Sequence, residues 1–173
     1  MSVAKKVKLG DANVTAVAYG CMGLSQAYEP CDEHQGIRTL NAVLDMGYDH
    51  LDTAALYGFG RNEELLNKAI GHRRSEYFLA SKCGLYRDAS GKREINGRPE
   101  VLTKTCEDSL RRLGTDCIDL YYLHRIDLNV PVEDSVGALM DMRDQGKIRF
   151  IGLSEPSPET LLKALDICPI AAV

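Results

Sequence analysis

His50-Leu-Asp-Thr-Ala-Ala-Leu-Tyr-Gly-Phe-Gly-Arg-Asn-Glu-Glu64 is the stretch whose reading decides the fold. His50 to Thr53 predicts a short strand that delivers Asp52, and then Tyr57, to one rim before a helix opens with Asn62 as its cap. A carboxylate buried just ahead of an exposed phenol is an odd pairing for packing alone. It points to a site where a tyrosine gives up a proton. Gly58-Phe-Gly60 reads as a turn and not as a dinucleotide clamp. Glu63 stands where G-x-G-x-x-G needs its third glycine, and the pair follows the second strand instead of the first.

Outward from this stretch the same unit recurs. Upstream, Val7–Leu9 and Val14–Val17 flank the turn-rich Gly10-Asp-Ala-Asn13 and predict a small hairpin. Val17 to Gly20 is a first short strand, and from Asp32, a plausible N-cap, Ile37, Leu40, Val43 and Leu44 keep helical spacing until Gly47. Downstream, Tyr77 to Ser81 is a strand, a polar loop runs from Cys83 to Arg98, and Pro99 opens a helix closed by Gly114. Ile118 to Leu123 is a strand, Val132 to Gln145 a helix, Lys147 to Leu153 a strand, and Ser157-Pro-Glu159 starts a helix through Leu165. Pro169 to Val173 begins one more strand. Strands alternating with helices at intervals of ~25–35 residues imply parallel βα units. An open doubly wound sheet and a barrel both fit the count, and the missing phosphate fingerprint weighs against the former.

Composition restricts the function classes. A net charge of −4 leaves no overall basic footprint for nucleic acid. No segment approaches the ~18 consecutive apolar residues of a membrane span, and Met-Ser-Val-Ala-Lys-Lys is not followed by a signal-type apolar run. A cytoplasmic location is expected. The six cysteines (21, 31, 83, 106, 117 and 168) form no CxxC and no cysteine–histidine cluster at zinc spacing, so no metal site is expected. Reduced, mostly buried thiols are the expectation. For Cys83, which follows Lys82, packing ranks ahead of reactivity.

Asp52, Lys82 and His124 end predicted strands, and Tyr57 lies in the loop after Asp52. In a βα barrel those ends open on one face, where active sites are built. Taken singly, each has a plain structural role: a loop cap, a rim aromatic, a solvated charge, a hydrogen-bonded histidine. Together their chemistry fits. A phenol with a pKa near ~10 is a poor acid at neutral pH; a lysine beside it stabilises the phenolate, and an aspartate keeps the lysine charged. Histidine can orient a carbonyl oxygen or share the proton.

Asp52-Thr-Ala-Ala-Leu-Tyr57-Gly with Asn62-Glu63, Leu79-Ala-Ser-Lys82, and Ser109-Leu-Arg-Arg-Leu-Gly-Thr-Asp-Cys-Ile-Asp-Leu-Tyr-Tyr-Leu-His124 resemble the aldo-keto reductases. Val132 through Gly146-Lys-Ile-Arg149 and Ile151-Gly-Leu-Ser-Glu155 extend the likeness over essentially the whole chain. Cys21-Met-Gly-Leu-Ser25 and Tyr122-Leu-His-Arg125 look most like the bacterial, fungal and plant branch that reduces assorted aldehydes and ketones. The resemblance implies a parallel (β/α)8 TIM barrel. It implies hydride transfer between a nicotinamide cofactor, usually NADPH with NADH as the alternative, and a small-molecule carbonyl. It makes Tyr57 the general acid, Lys82 and Asp52 the groups that tune it, and His124 the group that positions the carbonyl oxygen. Ser154 and Glu155 would hold the nicotinamide carboxamide, with Asp52 also counted among the cofactor-binding residues. Glu155 stands where many members have asparagine. The Cys83–Arg98 loop would form part of the substrate rim.

A TIM barrel takes about 250 residues, and this chain has 173. The expectation is one aldo-keto reductase-like domain over residues 1–173, truncated on its C-terminal side. It would comprise the hairpin, five βα units and the start of a sixth strand. By the resemblance, the later part of the family's barrel supplies a glutamine just past Val173, an aromatic that stacks on the nicotinamide and a basic loop for the adenosine phosphate. An unclosed parallel sheet exposes its edge, so self-association through that edge is open to the chain, and no nucleic-acid or membrane partner is expected. Three readings stand: a reductase, an inactive truncated fragment, or a non-catalytic regulatory or binding subunit of the same fold.

Overall fold

Leu9 lies opposite Ala12 in an antiparallel hairpin of β1 (Lys6–Leu9) and β2 (Ala12–Thr15). The turn is therefore Gly10-Asp11, and Ala12 and Asn13, expected in it, are strand residues. The computed structural model of the protein describes residues 5–25, 32–87 and 90–173. Cys31 and residues 88 and 89 of the expected rim loop lie outside the described residues.

After the hairpin, β3 (Tyr19–Gly20) leads to α1 (Glu33–Asp45), and β4 (His50–Asp52) to α2 (Arg61–Ile70). β5 (Phe78–Cys83) is followed by a small antiparallel ribbon, β6 (Leu85–Arg87) with β7 (Arg93–Ile95), and then by α3 (Pro99–Leu113). β8 (Ile118–Leu123) leads to α4 (Val132–Asp144), and β9 (Ile148–Leu153) to α5 (Pro158–Leu165). β3, β4, β5, β8 and β9 lie side by side in that order, every neighbour parallel. Strand order that follows chain order, with helices between, is the barrel arrangement; a doubly wound sheet reverses at a switch point. Beyond β9 a further parallel rung begins. Ala171 donates its N–H to the Ile151 carbonyl at 2.8 Å, and Leu153 donates to the Ala172 carbonyl at 3.1 Å. Among the described residues no helix is long and apolar enough to cross a membrane.

Local chemistry sets most boundaries as the sequence predicts. Asp32 occupies the N-cap of α1, Pro99 sits in the first turn of α3, and Gly114 closes that helix at a φ of 63°. Ser157 caps α5 by accepting from the Thr160 N–H at 3.1 Å. Two expectations need correction. α2 starts at Arg61 with Gly60 at its cap, and Asn62 is a buried helix residue. The Cys83–Arg98 segment is not only loop, because Leu85 pairs with Ile95 and Arg87 with Arg93. Its Lys, Arg and Gly content gives a two-stranded ribbon no apolar alternation to show.

The register of the parallel sheet places side chains in rows on its inner face. Asp52 lies beside Ala80, Ala80 beside Leu120, and Leu120 beside Phe150. One step higher, Lys82 lies beside Tyr122 and Tyr122 beside Gly152. Below them Val14, Phe78, Ala80 and Leu120 form a small buried cluster with Phe150, so the hairpin closes the lower end. Phe78 and Phe150 stack with centroids 6.1 Å apart. The outer face carries the larger core against the helices, including Leu51, Leu79, Tyr121, Leu123, Ile151 and Leu153. Burial of each such side chain stabilises by about 1.5–3 kcal/mol, and strand parity decides which residues remain for the inner face.

Gly152 is fixed by that packing, since a Cβ on it would run into the Tyr122 ring. Gly152→Ala is expected to cost about 1–3 kcal/mol through overpacking, measured by urea denaturation. A midpoint equal to that of the wild type would show that the Tyr122 ring is free to move.

Candidate active site

The site grows from the upper row. Lys82, 8% exposed, forms an ion pair with Asp52 on the neighbouring strand and donates to the Thr53 carbonyl at 2.9 Å. A buried ammonium is tolerable only when its charge and its N–H groups are matched, and both acceptors come from the end of β4. The chain then stays close to β5: Thr53 N–H reaches the Ala80 carbonyl at 2.9 Å, and Ala55 N–H reaches that of Lys82 at 3.2 Å. This path brings the half-buried Tyr57 over the lysine. Lys82 Nζ lies 5.3 Å from the Tyr57 ring centroid and 5.7 Å from that of Tyr122.

Tyr57 begins a tight turn in which Gly58, Phe59 and Gly60 all have positive φ, 58°, 59° and 88°. Two glycines meet that demand without strain; the exposed Phe59 costs roughly 1–2 kcal/mol there. The turn swings α2 so that Asn62 and Glu63 point inward, fully buried. Asn62 accepts from the Thr53 hydroxyl at 2.6 Å and donates to the Cys21 carbonyl at 2.8 Å and to Ser25 Oγ at 2.7 Å. Glu63 accepts from Ser81 Oγ at 2.7 Å and from Arg112 Nε at 2.7 Å. Both ends of the Tyr57 loop are thereby pinned to neighbouring strands and helices.

His124 follows β8 and is 7% exposed; its ring meets Tyr57 edge-on, centroids 6.1 Å apart. Burial, then the charges of Lys82, Arg125 and Arg93, lower its pKa to about 4. The imidazole is therefore neutral at physiological pH. Its Nδ1 is buried with no hydrogen-bond partner among the described residues. A proton there would be a buried donor without an acceptor, the costlier arrangement, which favours the tautomer with its hydrogen on Nε2. The second phenol beside Lys82, the half-buried Tyr122, has its pKa pushed up to about 12 by burial, with the Asp52 charge adding.

Arg125 ties β8 to β9 at the same rim. It donates to the His124 carbonyl at 2.6 Å, to Ser154 Oγ at 3.1 Å and to Glu155 Oε1 at 3.2 Å. Ser154 is half-buried, and Glu155 is exposed with a φ of 53°. The structure thus brings Asp52, Tyr57, Lys82 and His124 together and sets Ser154 and Glu155 beside them on the next strand. Cys83 is wholly buried and burial pushes its thiol pKa up, as packing requires.

The aldo/keto reductase family model matches residues 16–173. The chain belongs to the aldo/keto reductase family. It is 41% identical over 169 residues to the aldo-keto reductase yakc [NADP(+)] of Schizosaccharomyces pombe, covering 96% of this chain and 50% of that protein. Its fold is similar to that of aldo-keto reductase AKR11C1 from Bacillus halodurans in holo form, with a TM-score of 0.86 and 35% identity over 96% of this chain and 55% of that one. It is also similar to the glycerol dehydrogenase AKR11B4 from Gluconobacter oxydans, with a TM-score of 0.87 and 34% identity over 99% of this chain and 54% of that one. The chain spans about half the length of the curated relatives it matches. Its five parallel strands and their helices are the corresponding part of an aldo/keto reductase barrel.

Within this aldo/keto reductase chain, sequence reading missed three contributors. Tyr122 sits in an apolar run that periodicity assigns to the core. Arg125 ends the Tyr122-Leu-His-Arg125 motif, which by itself gives the arginine no role. The Glu63–Arg112 pair spans 49 positions, and no local pattern shows it.

The His124 value fixes a pH dependence. Its folded pKa lies below the ordinary ~6.5, so the unfolded chain takes up the proton first. Stability is complete above about pH 6.5 and is lost as pH falls toward about 4, by roughly 3 kcal/mol. His50, lowered chiefly by burial, acts in the same direction. His124→Gln is expected to flatten the slope of urea stability against pH in this window by about one proton. An unchanged slope would mean that His124 is ordinarily solvated.

Proposed function

We propose that the chain carries the proton-transfer site of an NAD(P)H-dependent reductase that converts aldehydes and ketones to alcohols, with Tyr57 as general acid. The observation that carries this reading is the neutral His124. An imidazole with a pKa of about 4 is neutral at physiological pH and its remaining N–H is a far weaker acid than a phenol, while burial and the Asp52 charge push the half-buried Tyr122 up to about 12. Tyr57, on the rim beside Lys82, is then the acid.

The remaining roles follow from the same reading. His124, hydrogen on Nε2, donates to the carbonyl oxygen and orients it. Tyr57 transfers its hydroxyl proton to that oxygen as the carbon is reduced. The phenolate left behind faces the Lys82 ammonium. A cation near a phenolate favours the charged form. Asp52 and the Thr53 carbonyl keep that ammonium in place. When bound, the nicotinamide supplies the hydride.

The residues present fit the carboxamide of such a cofactor. Ser154 Oγ accepts from Arg125 and so keeps its own hydrogen for the carboxamide oxygen, while Glu155 offers an acceptor for the amide N–H groups. The NADP(+) in the name of the fission-yeast relative favours NADPH over NADH. Leu162 and Leu165 on α5, and Val173 beside β9, are exposed apolar residues; they support self-association as the way this edge is covered.

Calorimetric titration of the chain with NADPH, with sedimentation of the same sample, tests the cofactor and the association together. Saturable binding is expected; its absence would remove the reductase reading. In carbonyl-dependent NADPH oxidation, Tyr57→Phe is expected to lower kcat by about 10²–10⁴-fold and to leave NADPH affinity within a few-fold. Undiminished turnover in that variant would exclude Tyr57 as the acid.

A further inference from the structure

A cleft of about 460 Å³ opens on the catalytic rim between the ribbon residues 92–95 and residues 126–129, the segment that begins two positions after His124. Its walls are fixed. Asn96 N–H donates to the Gly84 carbonyl at 3.0 Å, Gly97 N–H to Asp127 Oδ2 at 3.0 Å, and Ser135 Oγ to the Gly97 carbonyl at 2.7 Å. These bonds tie the end of the ribbon to its own start, to the turn after β8 and to α4. Two apolar side chains stand open at the mouth, Ile95 at 44% and Leu128 at 94% exposure, with Ile126 half-buried between them.

The polar groups of the cleft are unevenly matched. Asp127 accepts from Gly97 N–H, Asn129 N–H and Asn129 Nδ2. Glu94 accepts from the Tyr86 hydroxyl at 2.8 Å. Arg93, exposed on β7, has no carboxylate partner among the described residues, although its charge reaches His124. Lys92, which also lines the cleft, has an interaction of its own, and the nearby Lys82 and Arg125 are paired with Asp52 and Glu155. A guanidinium with no ion pair among the described residues, in a cleft whose apolar lining is Ile95, Ile126 and Leu128 and whose carboxylates, Glu94 and Asp127, already accept from other groups, lies next to the proposed carbonyl-reducing centre and matches a particular ligand. That ligand is a short aliphatic chain with a carbonyl at one end and an anion at the other. A planar guanidinium binds carboxylate or phosphate through paired N–H groups.

We propose that this cleft receives the anionic end of the carbonyl substrate, with Arg93 as the residue that pairs with it, so that the preferred substrates are carbonyl compounds bearing a carboxylate or phosphate a few bonds from the reacting carbon. The assignment rests on the reductase reading above and names the substrate class of the same site.

The test compares butanal with its ω-carboxylate analogue, and glyceraldehyde with its 3-phosphate, in NADPH oxidation by the wild type, Arg93→Met and Arg93→Lys. The wild type is expected to favour the charged member of at least one pair, and which pair tells carboxylate from phosphate. In Arg93→Met the ratio of kcat/KM, charged over neutral, is expected to fall about 10-fold or more, carried by KM, and Arg93→Lys is expected to restore part of it. No charged-over-neutral preference in the wild type overturns the proposal, as does a ratio unchanged by Arg93→Met. If neither member of either pair is turned over, the reductase reading fails by itself. The anion site is then read by titrating 4-hydroxybutanoate and glycerol 3-phosphate against butanol and glycerol: charge-dependent binding lost in Arg93→Met supports it, and equal binding overturns it.

Discussion

The ion pair between Lys82 and Asp52 is the constraint on which the rest of the site depends. An ammonium buried on the inner face of a sheet carries a desolvation cost of several kcal/mol, and here it is met by a carboxylate and a backbone carbonyl from the adjacent strand. Both partners exist only if β4 and β5 keep their register, with Asp52 beside Ala80. A slip of one residue would turn Lys82 into the helix-facing core and bring Ser81 inward. The pair thus fixes strand register and chemistry together. Removal of one partner leaves an uncompensated buried charge, a loss of about 3–5 kcal/mol.

The loop that carries Tyr57 is held to that pair by polar contacts, not by apolar packing. Asn62 and Glu63, both fully buried, reach back to β4, to Ser25 and to β5 and α3. This arrangement needs α2 to begin two residues earlier than an Asn62 cap would place it, on a turn with three successive positive φ values. Strain at Phe59 is offset by the buried hydrogen bonds it allows, each worth about 0.5–1.5 kcal/mol and more where a charge takes part. A conformation unfavourable to an aromatic residue is therefore stable where it places a phenol.

Periodicity made the layered fold legible because each helix has one apolar stripe and each strand a defined length. Pro99, Gly114 and Ser157 act where their backbone chemistry says they should. Asn62 misled because its residue type suits a cap, while its amide is spent on tertiary partners 9 to 41 positions away. The β6–β7 ribbon was hidden because its pairing is made by backbone groups between residues with no alternation of polarity. Asp52, Tyr57, Lys82 and His124 could be nominated from strand ends alone. The neutral state of His124 could not, since it depends on burial and on Arg93 and Arg125, which no local pattern brings together.

Position within the sheet divides the site into two mechanical parts. Asp52, Lys82 and His124 belong to β4, β5 and the end of β8, each paired on both sides. Ser154 and Glu155 come after β9, whose outer side is paired, among the described residues, through residues 171 and 172. The residues proposed for acid–base chemistry therefore sit at the ends of strands paired on both sides, while those proposed for the carboxamide follow β9. Arg125 spans this divide, joining the His124 carbonyl to Ser154 and Glu155, and Tyr122 spans it lower down by lying against Gly152. Two side chains of β8 and its end thus couple the interior strands to the edge. These side-chain contacts add to the backbone ladder between β8 and β9, so the residues proposed for the carboxamide and those proposed for proton transfer are joined by both.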